Sequence, residues 1–416
     1  MVAQSWFKRA VFYQIDTRTF SDSNADGIGD LRGITERLDY LHSLGVDAIL
    51  LRPLASSPGQ PGTQPSIDPA LGTLPDLDDL TLQASHLNIR IVLELPTPDP
   101  GLARFWLTRG VAGIYVPGNA AANSAALDAI RKLLPGYVGQ RVLITDADPA
   151  APTPSRPSTN ELVLYRVTLN SAVSLVPDLR TALDQSQALL HSGTPILAID
   201  DKTATPPDPR LDRIHATALL LNRSAALISA GQELGFTPSA STLMPWGQTA
   251  TPIEEPSETP KPTAPVTSSP DKYTPYVPYV RPAAPKKPVP PGSSTAAGQE
   301  INPNSLLNFY NHLARLHHGT TALRDGEEFT FNHDDHNALI WMRKPASPSP
   351  ANPPILVACN LSDKPTALSL KPDVLKLQLR GTFLRTVLRS DDLMGGVSLN
   401  PITLPPFGVY VGQLRY

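Results

Sequence analysis

Oxygen ligands and carboxyls carry the chemistry that this chain offers. In "DSNADGIGD" (22–30), Asp22, Asn24, Asp26, Ile28 and Asp30 recur at every second position, and Gly27 permits a sharp turn. Hard cations such as Ca²⁺ take about six to eight oxygens, which alternating side-chain and carbonyl donors in a tight loop supply. The first nine positions follow the logic of an EF-hand loop, but Gly33 stands where its closing Glu would be. Water would have to complete the shell. The expectation is a Ca²⁺ held by Asp22, Asn24, Asp26, Asp30 and the carbonyl of Ile28, with a solvated acidic turn as the alternative.

A second set of acids, Asp99, Asp146, Asp148, Asp200 and Asp201, follows apolar runs. Such clusters are usually solvated faces. The histidines show no H-x-x-x-H spacing, and His317, His318, His333 and His336 are expected at the surface. No Gly-rich phosphate loop and no local Ser/His/Asp pattern is present. Cys359 is the single cysteine, so no internal disulfide forms, and "ILVACNL" reads as a strand burying a structural thiol. A net charge of −3 provides no field for nucleic acid, which is not expected as a partner. No run reaches the ~18 apolar residues of a membrane span, and the start of the chain has no apolar leader. A reducing, cytoplasmic location is expected.

The elements that must position these groups alternate. "AVFYQIDTRTF" (10–20) reads as a strand and "LRGITERLDYLHSLG" (31–45) as a helix. Further strands are read at 47–54, 89–95, 112–117, 141–146, 162–169, 195–200 and 226–231, with helices at 77–87, 124–134 and 210–221 between them. This alternation argues for parallel β/α topology, either a (β/α)₈ barrel or a doubly wound sheet. After "GQELGF" the composition changes: thirteen prolines lie between Pro252 and Pro291. Such a segment cannot build a core. Within it Tyr273, Tyr276 and Tyr279 share one side of a polyproline helix, as a docking strip or as rings packed on the barrel. A helix resumes over 304–318 with Asn304 as its N-cap, and from about residue 327 six strand patterns predict an antiparallel sandwich.

Several stretches together resemble the α-amylase superfamily of glycoside hydrolases, in its α-glucosidase and trehalose-synthase-like branch. They are "AVFYQIDTRTFSDSNADGIGDLRGITERLDYLHSLGVDAILLRPL", "IDPALGTLPDLDDLTLQASHLNIRIVLEL", "FWLTRGVAGIYV", "ISAGQELGF" and "SLLNFYNHLARLHH". The resemblance implies a (β/α)₈ TIM barrel followed by an antiparallel β-sandwich. It places strands 1 to 8 in residues 1–248, a Pro-rich insertion in the last βα loop at 249–302, the final barrel helix at 303–325 and the sandwich at 326–416. It also implies a structural role for Ca²⁺ in the 22–30 loop.

Members act on α-glucosidic bonds with retention, which needs a nucleophilic and an acid/base carboxyl about 5–5.5 Å apart. Here the nucleophile's place at the end of the fourth strand is Pro117, and the Arg expected two residues earlier is Tyr115. The acid/base place holds Asp146, one methylene short. Asp201 matches the third acid, with Ile199 and Asp200 in place of its Asn and His. The sugar-binding His after the third strand is absent, since Glu94 to Asp99 read E-L-P-T-P-D. The segment forming domain B is also missing. The resemblance therefore implies a degenerate member acting as a non-catalytic binding or partner protein, a loss it shares with the heavy subunits of amino-acid transporters. The alternatives are a glycosidase or glucosyltransferase with rearranged acids, and an α-glucan-binding module. Asp201 and Trp246 ("LMPWG") are the candidate sugar contacts, and α-glucan or a protein the candidate partner.

Overall fold

The computed structural model describes residues 5–55, 65–118, 124–147, 160–169, 175–190, 193–201, 209–236, 242–247, 294–331 and 335–415. The apolar runs form β1 (Val11–Ile15), β2 (Ala48–Leu51), β3 (Arg90–Glu94), β4 (Gly113–Val116), β5 (Val142–Asp146), β6 (Glu161–Leu169), β7 (Thr194–Asp201) and β8 (Ala225–Ser229). Each pairs in parallel with its sequence neighbours. β8 returns to β1 through Val11↔Ala226 and Phe12↔Leu227, so the sheet closes as a barrel and the open doubly wound sheet is excluded.

Between them lie α1 (Thr17–Phe20), α2 (Leu31–Glu36), α3 (Leu38–Ser43), α4 (Leu74–His86), α5 (Pro100–Thr108), α6 (Ser124–Leu133), α7 (Leu175–Leu189) and α8 (Pro209–Leu221). Two expectations change here. The strand read over 10–20 stops at Ile15, because the Asp16 carboxylate accepts the Arg18 N–H and starts α1. The helix read over 31–45 is two helices, broken at Arg37, whose ψ of 7° leaves the helical range.

Alternation along the strands separates two cores. Phe12, Leu50, Val92, Tyr115, Ile144, Leu164, Ala198 and Leu227 fill the barrel interior, while the intervening residues pack outward under the helices. Gly113 belongs to the inner row because a Cβ there would lie 2.4 Å from the Val142 side chain. Behind β8, Glu233 of "GQELGF" is wholly buried and accepts hydrogen bonds from the Tyr13 and Tyr40 hydroxyls at 2.7 and 2.6 Å. Burial raises its pKa, and the two phenols oppose the rise.

Chain description resumes with α9 (Ala296–Ile301), capped by Thr295, then α10 (Leu306–Gly319) and α11 (Thr321–Asp325). Ser305, not Asn304, caps α10, accepting from Asn308 N–H. The remainder forms β9 (Glu327–Phe331), β10 (Ala338–Lys344), β11 (Ile355–Asn360), β12 (Thr366–Leu368), α12 (Lys371–Lys376), β13 (Phe383–Arg389), β14 (Gly396–Ser398), β15 (Ile402–Leu404) and β16 (Val409–Arg415). A six-stranded antiparallel sheet, ordered β14-β13-β16-β11-β10-β9, lies between two partners. One face, with Trp341, Val357, Cys359 and Val411, joins the barrel's outer core. The other, with Met342, Leu356 and Tyr410, is covered by the β12–β15 pair and Val374 of α12. Cys359 is buried there as expected, and burial pushes its thiol pKa up.

The seam between barrel and sheet is polar at its centre. Trp341 Nε1 and Arg343 Nη1 both donate to the Leu221 carbonyl, at 3.2 and 3.1 Å, satisfying the end of α8. His317, expected at the surface, is instead buried, with its ring nitrogens 2.7 Å from the Leu220 carbonyl and 2.9 Å from that of Arg9. Its place on the inner face of α10 explains this, and His336 is exposed as expected. No described helix is long and apolar enough to cross a membrane.

Candidate functional site at the barrel mouth

The inner row of each strand ends at the C-terminal mouth, where barrel enzymes keep their chemistry. Two residues beyond the last apolar inner residue stand Gln14 on β1, Arg52 just past β2, Glu94 on β3, Pro117 just past β4, Asp146 on β5, Arg166 on β6 and Asp200 on β7. A ring of polar residues thus crowns the apolar interior. Pro117 is its one member without a polar side chain.

Asp146 is gripped at both oxygens. Oδ1 accepts the Tyr115 hydroxyl at 2.8 Å and Oδ2 the Gly118 N–H at 2.7 Å. Burial and the Asp146 charge raise the Tyr115 pKa, so the phenol stays a donor. Glu94, beside Tyr115 in register, is only 9% exposed, and no described residue donates a hydrogen bond to it. Burial raises its pKa; the Arg52 charge opposes this, the Asp146 charge adds to it, and Arg166 opposes it more weakly. Across the mouth the Arg166 guanidinium bonds Asp200 at 3.1 Å and Gln14 at 3.0 Å, a half-exposed pair that orients more than it stabilises.

Several expected site residues are placed differently. The inner row of β7 runs Ile196, Ala198, Asp200, whereas Asp201 pairs in register with Leu169, which lies in the outer core. Asp200 is thus the β7 acid in step with the inner row. Asp99 accepts from Gly101 and Leu102 N–H as the N-cap of α5 and is no part of the acid ring. Trp246 donates to the Phe20 carbonyl at 2.6 Å and is enclosed by the rings of Phe20 and Tyr40, with the Arg37 guanidinium 4.4 Å from its own ring. Trp246 is half-buried against the outer core, and Trp106 is buried in it. Asp148 and the tyrosines at 273–279 lie outside the described residues. Glu94, Tyr115, Arg166 and Gln14 escaped the sequence reading as site residues. Their signal was parity: each is a polar residue in step with an inner apolar row.

In the 22–30 loop, Asp22 Oδ1 accepts from Asn24 and Ala25 N–H, and Oδ2 from Gly27 N–H at 2.7 Å. Asn24 and Asp26 accept from Asp26 and Ile28 N–H at 2.9 and 2.8 Å. Asp30 accepts from Ser23 and caps α2 through Gly33 N–H. Gly27 turns the chain at φ +89°. The donor set is hard oxygen throughout, which suits Ca²⁺ chemically. Among the described residues, however, no three His, Cys, Asp or Glu side chains gather as a metal-binding group.

Residues 14–98 match the family model of the alpha amylase catalytic domain. Over these residues the chain is similar to the alpha-amylase family. The chain is 45% identical over 95 residues to trehalose-6-phosphate hydrolase of Escherichia coli, covering 22% of this chain and 17% of that protein. It is 41% identical over 111 residues to maltase A2 of Drosophila melanogaster, covering 26% and 20%. The amylase-family match thus spans a fifth or less of these relatives' length. Over the whole chain the fold is similar to isomaltulose synthase from Klebsiella sp. LX3, with TM-score 0.73, 17% identity and coverage of 99% and 100%. Trehalose-6-phosphate hydrolase of Bacillus licheniformis gives 0.71, 16%, 99% and 100%.

Proposed function

We propose that the barrel mouth of this amylase-family chain is a site for α-glucosidic sugars that works without a covalent glycosyl intermediate. Pro117 carries the reading. It follows β4 on the inner row, where the family resemblance expects the nucleophile, and a pyrrolidine ring has no atom that can bond to an anomeric carbon. The ring of carboxylates, guanidiniums and amide around it offers the donors and acceptors that sugar hydroxyls use. Binding alone, as a non-catalytic binding or partner protein, is supported by Pro117 and by a β3–α5 connection of only five residues, 95–99, which holds no domain B. Hydrolysis through other acids is supported by the comparisons, since the sequence relatives named are a trehalose-6-phosphate hydrolase and a maltase, and by the buried carboxyl of Glu94, which accepts no hydrogen bond from a described residue.

Calorimetric titration with maltose and trehalose tests the site itself. Saturable binding is expected, weakened about tenfold or more in Asp200→Ala, in keeping with a lost hydrogen bond to a charged group. A flat titration would reject the site.

For the 22–30 loop we propose a Ca²⁺ taken by Asp22, Asn24, Asp26, Asp30 and the Ile28 carbonyl. The alternate spacing and the Gly27 turn support it. The ion would brace the first βα connection and takes no part in chemistry on the sugar.

A further inference from the structure

Within the hydrolytic form of that reading, we propose that Glu94 and Asp146 act as the acid and base of an inverting glycosidase. An inverting reaction dispenses with the nucleophile that Pro117 lacks. It needs an acid on the leaving oxygen and a base on a water at the opposite face, with the carboxyls about 6.5–9.5 Å apart. Glu94 ends β3 and Asp146 ends β5, with β4 alone between them. Glu94 pairs with Tyr115 and Tyr115 with Ile144, so Asp146 stands two residues further along β5. Two strand spacings and two residue rises set the backbones roughly 11–12 Å apart, and both residues lie on the inner row, whose side chains converge toward the barrel axis and so shorten the gap between carboxyls.

The two environments divide the roles. Glu94 is 9% exposed and bears no hydrogen bond from a described residue, and burial raises its pKa against the opposing Arg52 charge, which suits it to the acid's role. Asp146 is fixed by the Tyr115 hydroxyl and the Gly118 N–H, which leaves lone pairs on an oriented carboxylate. Water attacks the anomeric carbon as Asp146 takes its proton. The bond from that carbon to the leaving oxygen breaks, and the oxygen takes the Glu94 proton. The products are β-glucose and the free alcohol, and one proton passes from Asp146 back to Glu94 through solvent to reset the pair.

The test combines maltose calorimetry with early-time proton NMR of the glucose anomers released from p-nitrophenyl α-glucoside. Expected are saturable maltose binding and first-formed β-glucose. Glu94→Gln and Asp146→Asn should each lower kcat at least 100-fold while each variant still binds maltose saturably. First-formed α-glucose, or binding with no glucose above buffer, overturns the inverting pair while leaving the site reading intact. Absence of binding overturns the site reading itself. Full turnover in Glu94→Gln also overturns the pair, and if Asp146→Asn fails to fold, the Glu94→Gln result and the anomer decide.

Discussion

At the residue scale, Tyr115 and Pro117 matter most. The family resemblance asks for a guanidinium and a carboxylate at these places, and the chain supplies a phenol and a ring without charge. The phenol donates to Asp146 at 2.8 Å, a hydrogen bond to a carboxylate of the stronger kind. Tyr115→Phe keeps the ring that fills the barrel interior and deletes the donor. Chemical denaturation should show a loss of about 1–3 kcal/mol. No measurable loss would mean that water replaces the phenol freely.

At the element scale, the strand ends decide which residues meet. The sequence made the eight strands and their parallel order legible, because apolar runs of strand length recurred between helix-spaced stretches. It could not show which acid faces the mouth. Asp200 and Asp201 are one residue apart, and the step of Asp200 with Ile196 and Ala198 on the inner row appears only once β7 is paired with β6. Asp99 and Asp16 looked like mouth or strand residues, but each spends its carboxylate on helix N–H groups, a local bond that composition does not reveal. His317 misled in the same way, since a polar ring at the end of a helix reads as surface unless its buried neighbours are known. The loop at 22–30 belongs to this scale as well. Added Ca²⁺ should raise the melting temperature and EDTA lower it, with Asp26→Ala insensitive to both. Identical melting of the parent in Ca²⁺ and EDTA would reject the ion.

At the scale of the whole molecule, barrel and sheet share one core, and the seam holds a charged pair. Arg343 and Glu328 lie 4.0 Å apart, both fully buried, and Gln187 on α7 donates to Glu328 at 3.0 Å. Burial pushes the Glu328 carboxyl up to about 7, while Arg343 and Arg223 hold it lower than burial alone would. The folded chain therefore keeps a proton that the unfolded chain releases near the ordinary carboxyl value. By linkage, this stabilisation is fully present below that ordinary value and is lost as pH rises through about 7. Melting temperature should fall between pH 5 and 8, and Glu328→Gln should flatten that part of the curve. An unchanged slope in the variant would place the proton elsewhere.

The most direct measurement is a covalent trap. The protein is incubated with 5-fluoro-α-glucosyl fluoride, which accumulates the glycosyl intermediate of retaining α-glucosidases, and its intact mass is recorded. An unchanged mass, alongside saturable maltose binding in the same preparation, is expected of a barrel with Pro117 where the family resemblance expects the nucleophile. A mass increase of one fluoroglucosyl group, mapped to any side chain of the mouth, would contradict it.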